Sequence, residues 1–240
     1  MMVRRRVIVI AHRGASADAP ESTQAAIRTA FLLGADMVEL DVQLTEDQRL
    51  VIFHDDRLER TTTGTGTLSN WRYRDLARLD CGTWLAPRFA GERMLLLSQA
   101  LRLVKPPHGI NLELKRATHP TTVVRKVVQC LHWTRTLSRV LVSSFEVPLL
   151  AHLKVRYPRV ARALLCRRRP ARALRQAIAL GCVALHPHRS LVSPTLIKHA
   201  HASGLRVHVW TVDRLDEARR FVQMGVDGLV TNVPGRLRHL

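Results

Sequence analysis

The chain reads as an α/β protein, a (β/α)8 TIM barrel with a small insertion after its second strand. Three observations predict this. Short apolar runs alternate with longer helix-like runs through most of the 240 residues. Eight short runs remain once one hairpin partner is set aside, and a chain of about 250 residues suits eight such units. Strand–helix alternation also implies parallel strands joined by right-handed crossovers. A doubly wound open sheet is the alternative. It is disfavoured because no G-x-G-x-x-G follows the first strand and no P-loop occurs.

The first strand is VIVIAH (7–12), followed by a helix over 21–34 with Gly34 as its C-cap. MVELDVQL (37–44) alternates apolar and polar residues, the pattern of a half-buried strand. LVIFHDD (50–56) follows a turn at 45–47 and forms a hairpin with it. Residues 57–93, rich in Thr, Gly, Pro and aromatics, read as an insertion of loops with a short helix over 73–79.

Regular alternation then resumes. Helices are expected at 95–105, 120–133, 148–157, 171–181, 193–204 and 214–225, with Ser193 and Pro194 as N-cap and first residue of the fifth. Strands are expected at 109–115, 139–145, 160–166, 182–187, 206–212 and 226–232. The whole chain, 1–240, is read as one domain.

Composition narrows the class. The hydrophobic fraction of 46% is that of a globular protein. No apolar run reaches the roughly 18 residues of a membrane span. VIVIA behind a basic start is too short for the apolar part of a signal peptide, so a cytoplasmic protein is expected. Cys81, Cys130, Cys166 and Cys182 are widely spaced and read as reduced thiols. The net charge is +19 and 33 of the 38 basic residues are arginine. Most read as a solvated surface that helps attract a small anionic substrate. They lack the interleaved aromatics of a single-strand platform, so no specific nucleic acid is expected.

Barrel active sites lie at the C-terminal ends of the strands. Glu39 and Asp41 fall two apart on one strand face, where they repel each other and are costly to desolvate. Glu113 comes from the next barrel strand, NLELK. Three converging carboxylates suit a divalent cation, Mg²⁺ or Ca²⁺. The competing reading is neutralisation by Arg13 and Lys115 alone. His12 and His54 end their segments beside these acids and are the candidate general acid and base. Arg13 and Lys115 are placed to hold a phosphate. A metal, two histidines and two cations fit phosphoryl transfer better than acyl transfer, and no G-x-S-x-G elbow is present.

At these residues the sequence resembles the glycerophosphodiester phosphodiesterase family. The matching stretches, in order, are AHRGASADAPEST, GADMVELDVQLTEDQRLVIFHDDRLERTTTGTG, NLELK, VSSF, HVWTVD and DGLVTNVPGRL. The resemblance implies a TIM barrel and metal-dependent hydrolysis of glycerophosphodiesters to sn-glycerol 3-phosphate and an alcohol. It implies a divalent cation on Glu39, Asp41 and Glu113, with His12 and His54 as acid and base. Arg13 and Lys115 would meet the phosphate, Trp210 would line the pocket, and Glu21 would support the first loop. The family usually has Asn at the positions of Ser22 and Asp213. Ser22 is expected to hydrogen-bond as a loop residue, and Asp213 to add negative charge at the mouth. Two alternatives stand beside this reading: a lysophospholipase D-type phosphodiesterase acting on lysophospholipids, and a basic, non-catalytic nucleic-acid-binding barrel.

Overall fold

The apolar runs close into a ring. The computed structural model describes residues 6–116 and 119–240; the basic start at Arg4 and Arg5 lies outside the described residues. In chain order the elements are β1 (Ile8–His12), α1 (Gln24–Leu32), β2 (Met37–Leu44), β3 (Leu50–Ile52), α2 (Tyr73–Leu76), α3 (Leu97–Leu103), β4 (Gly109–Leu114) and α4 (Pro120–Trp133). They continue with β5 (Val140–Ser144), α5 (Val147–Arg156), β6 (Ala161–Cys166), α6 (Pro170–Ala179), β7 (Ala184–Pro187) and α7 (Pro194–Ala202). The chain ends with β8 (Arg206–Val209), α8 (Leu215–Met224), β9 (Gly228–Thr231) and α9 (Pro234–Leu237). All strands but β3 pair in parallel, and β1 pairs with both β2 and β9, which closes an eight-stranded barrel. The antiparallel β3 extends β2 as a hairpin outside the ring.

The strand faces separate two environments. Odd positions of β2 point inward and carry Glu39, Asp41 and Gln43, while Val38, Leu40 and Val42 join the main core beneath the helices. Low in the barrel, Leu141, Ala163 and Ala184 form a small cluster with Met37 and Ala161. The next inward positions on these strands are Ser143, Leu165 and His186, so the interior turns polar toward the C-terminal ends. Parallel register fixes the order: His12 lies opposite Glu39, Glu39 opposite Asn111, and Asp41 opposite Glu113.

Element ends follow local chemistry. Helix α1 starts at Gln24 because Thr23 caps it, accepting from the Ala26 N–H, and because Ser22 sits at φ +63°, outside helical space. This is shorter than the 21–34 read from periodicity. Ser193 caps α7 by accepting from the Leu196 N–H, with Pro194 at the first turn. The insertion is built around its own small core of Val51, Phe53, Leu58, Leu68, Leu76, Cys81 and Met94. Its one α-helix spans Tyr73–Leu76, shorter than the expected 73–79. Among the described residues no helix is long and apolar enough to cross a membrane.

Candidate active site

The β1–α1 turn is a strained piece of backbone held by close packing. Arg13 has φ +56° and Gly14 φ +85°. A Cβ on Gly14 would sit 2.6 Å from the Ala26 backbone of α1, so only glycine fits. This turn aims the Arg13 N–H at Glu39 Oε2, at 3.1 Å. It also holds the Arg13 side chain 2.9 Å from Glu21 and 3.4 Å from Asp41.

Glu39 and Asp41 are almost fully buried, at 3% and 1% exposure. Glu39, Asp41 and Glu113 each offer an oxygen, all within 4.8 Å of one another, a cluster of acids able to hold a metal ion. Lys115 Nζ bonds Asp41 at 2.7 Å and Glu113 at 2.6 Å. Two buried oxygens, Glu39 Oε1 and Asp41 Oδ2, have no hydrogen-bond partner. Arg13 Nε is within ion-pair range of Asp41 Oδ2 but misaligned for a hydrogen bond. Burial, then the charges of Asp41 and Glu113, push Glu39 well above the usual carboxylate range. Arg13 and Lys115 therefore leave part of the three-acid charge unbalanced. Hard oxygen donors with unspent lone pairs fit a divalent cation.

Each candidate histidine is held from behind. His12 Nδ1 lies 2.8 Å from Asn232 Oδ1, and its Nε2 is 3.9 Å from Glu39 Oε2. Burial, then the Arg13 charge, lowers the His12 pKa to about 4. His54 Nδ1 bonds Asp55, which also accepts from Arg60. Arg60 in turn bonds both oxygens of Glu21, so an alternating chain of charges runs from Arg13 to His54. Burial lowers the His54 pKa, opposed by Asp41 and Asp55. The Gln43 amide donates to the carbonyls of Phe53, His54 and Asp55 at 2.9–3.1 Å, fixing the loop that carries His54.

The structure brings His12, Arg13, Glu39, His54, Glu113, Lys115 and Trp210 around one cavity of about 140 Å³ at the C-terminal ends of the strands. Glu21 stands behind it through Arg13. Several partners were missed by sequence reasoning. Asn232 was visible only as a strand-end residue. His186 was one histidine among 12, although it has the inward parity of β7. Arg167 was hidden among the arginines. Asp213 brings its negative charge to the mouth tied into hydrogen bonds from β9. Its carboxylate accepts from the Thr231 hydroxyl and from the Asn232 backbone and side-chain amides at 2.7–3.0 Å. Ser22 Oγ is buried without a partner; the bond at this loop residue is from its backbone N–H to Arg13 O. Its left-handed φ is one that Asn adopts more readily. A larger groove, about 500 Å³, lies between α6 and α7, with Arg175 and His199 but no acid cluster. Chemistry rather than volume picks the site.

A profile of the Glycerophosphoryl diester phosphodiesterase family matches residues 12–236. The chain belongs to this family. Membership makes it a phosphodiester hydrolase on a TIM barrel. A glycerophosphodiester phosphodiesterase of Caldanaerobacter subterraneus subsp. tengcongensis is 34% identical over 238 residues, covering 98% of each chain. That of Bacillus altitudinis is 32% identical, covering 95% of each. Among solved structures, an Oleispira antarctica phosphodiesterase in complex with its product sn-glycerol-3-phosphate superposes with a TM-score of 0.92. It is 31% identical, over 97% of this chain and 95% of that one.

Proposed function

We propose that this phosphodiesterase hydrolyses glycerophosphodiesters to sn-glycerol 3-phosphate and an alcohol, by histidine acid–base catalysis at a divalent-cation site. The observation that carries the reading is the convergence of His12, Arg13, Glu39, His54, Glu113 and Lys115 on one small cavity, with Asp41 completing the acid cluster beside it. Glu39, Asp41 and Glu113 would hold Mg²⁺ or Ca²⁺, which supplies Lewis-acid charge against the phosphate oxygens when bound. Residues 1–240 act as a single domain whose insertion braces the His54 loop. The four unpaired thiols support a reducing, cytoplasmic setting.

The hydrogen bonds support a division of labour between the two histidines. An amide oxygen can only accept, so Nδ1 of His12 carries the proton and Nε2 carries the lone pair. His12 then takes the proton of the attacking group as its oxygen bonds to phosphorus: water gives the products directly, and a glycerol hydroxyl gives a cyclic phosphate that water then opens with the proton transfers reversed. His54, with Nδ1 donating to the Asp55 carboxylate, is the easier of the two to hold protonated. It gives its Nε2 proton to the alcohol oxygen as the P–O bond breaks. Arg13 and Lys115 bind the phosphate oxygens and stay charged throughout. Trp210, its Nε1–H fixed to His186 O at 2.8 Å, forms an apolar wall.

The lining of the cavity is mainly polar, which favours a glycerophosphodiester over a lysophospholipid and its acyl chain. The acids lining it argue against a bare nucleic-acid groove. The test is release of sn-glycerol 3-phosphate from glycerophosphoglycerol and glycerophosphoethanolamine in EDTA, then with Mg²⁺ or Ca²⁺ added. Glycerophosphocholine is run against lysophosphatidylcholine. Activity lost in EDTA, restored by a cation and greater on the diester supports the reading. Activity that ignores EDTA removes the cation, and a preference for the lysophospholipid replaces the substrate.

A further inference from the structure

We propose that the loop after β6 carries a subsite for a second anionic group, borne by the leaving alcohol, with Arg167 as its principal ligand. This rests on the phosphodiesterase reading of the same pocket. Arg167 lines the cavity that holds His12, His54 and Lys115. Its guanidinium lies 5.0 Å from the Phe145 ring centroid and 5.1 Å from that of Trp210. The two rings meet edge to face, with centroids 5.6 Å apart.

Charge accounting sets Arg167 apart. The other two cations of the cavity each have carboxylate partners, Arg13 in Glu21 and Asp41 and Lys115 in Asp41 and Glu113. Just outside, Arg189 is spent on Glu217 at 2.9 Å. Among the described residues no carboxylate lies within ion-pair distance of Arg167. It is held by aromatic faces, which position a guanidinium without neutralising it. A second hollow of about 280 Å³ shares Phe145, Leu165 and Arg167 with the catalytic cavity and continues past Arg168, Arg169 and Arg172. These three also lack a carboxylate partner among the described residues.

A diester whose phosphate sits on Arg13 and Lys115 would send its alcohol toward this hollow. A phosphate on that alcohol finds a bidentate, uncompensated guanidinium. A quaternary ammonium finds the opposite. The aromatic faces that would attract it are already covered by a cation, and like charges repel. The substrate class is therefore glycerophosphodiesters of anionic alcohols, ahead of choline esters.

Two probes differ by one glycerophosphoryl unit, and so by one negative charge: glycerophosphoglycerol and bis(glycerophospho)glycerol. The second has two scissile ends, worth a statistical factor of about two. The proposal expects kcat/KM for the doubly charged probe to exceed that for the single one by roughly tenfold at low salt, the scale of a charged hydrogen bond. Glycerophosphocholine should fall below both. The ratio should shrink in high salt. Arg167→Gln should bring it close to the statistical factor, and Arg167→Lys should keep part of it. If Arg167 merely propped Trp210, its loss would slow both probes alike and leave the ratio unchanged, which overturns the subsite. A wild-type ratio of about two, with glycerophosphoglycerol still hydrolysed, overturns the subsite and spares the phosphodiesterase reading. Failure to hydrolyse either probe in the presence of cation sinks both.

Discussion

Nδ1 of His12 lies 2.8 Å from Oδ1 of Asn232, and the Asn232 amide can face only one way. Its Nδ2 donates to Asp213 at 2.7 Å, and a carboxylate cannot donate back. Oδ1 must then face His12 and the Ser16 hydroxyl. One carboxylate between β8 and α8 thus fixes the tautomer of a histidine at the end of β1. Asn232→Leu should lower kcat by about 10- to 100-fold with a smaller change in KM if His12 acts as the proposed base, because substrate contacts survive while its ring loses its orientation. Asp213→Asn, whose amide can still meet Asn232 after both reorient, should cost less. Steady-state kinetics of both variants check this; equal KM and kcat effects in Asn232→Leu would point to a binding role.

Much of this was legible in the sequence, and the parts that were not share a cause. Glu39 and Asp41 stood out because alternation along one strand is a local property. His12, His54 and Glu113, which the structure gathers at one cavity, were singled out because position at a strand end is readable from the run that precedes it. The Asp213–Asn232–His12 relay needs β9 docked between β8 and β1, a contact between residues 220 apart in the chain for its last link. The Gln43 clamp on residues 53–55 depends on how the hairpin folds back. Arg167 differs from its neighbours by its place against the Phe145 and Trp210 rings at the cavity, which composition cannot reveal. The left-handed backbone at Ser22 had no local signal at all, since the residue there is not glycine.

The acid cluster sets function against stability. Without a cation, Glu39 is a buried carboxylate facing two others. Glu39→Gln should stabilise the EDTA-treated protein by about 1 kcal/mol, a rise in Tm of roughly 2–4 °C. The same variant should lose the Tm increase that Mg²⁺ or Ca²⁺ gives the wild type. Thermal unfolding with and without cation reads both. A lower Tm in EDTA would mean that the ion pairs with Arg13 and Lys115 are the purpose of the cluster.

Acid should loosen the barrel through His186 and His208. Their rings are 4.8 Å apart, fully buried, and all four nitrogens lack partners. Burial, helped by Arg206 and opposed by Asp227, lowers the His208 pKa from 6.5 to about 4. Burial and His208 lower that of His186 well below 6.5. Below pH 6.5 the unfolded chain binds protons that the folded barrel refuses. The stabilisation is whole above pH 6.5 and falls away as pH drops toward 4. For His208 the loss at pH 5 is about 2 kcal/mol. Urea midpoints from pH 7.5 to 5 should fall, and His208→Leu should flatten the slope; an unchanged slope would refute the assignment.

The turn that carries Arg13 should not tolerate a side chain at Gly14. Gly14→Ala puts a methyl against the Ala26 backbone in a left-handed conformation. A cost of at least about 2 kcal/mol is expected, or roughly 4–8 °C in Tm. A wild-type melting curve would show that α1 can retreat.

The most direct test of the account is turnover of His12→Ala and His54→Ala on glycerophosphoglycerol at saturating cation, beside cation binding followed calorimetrically. If both histidines move protons, kcat should fall about 10²–10⁴-fold in each variant, with cation affinity and melting temperature retained. Near-normal turnover in either variant would remove that histidine from proton transfer and contradict the mechanism.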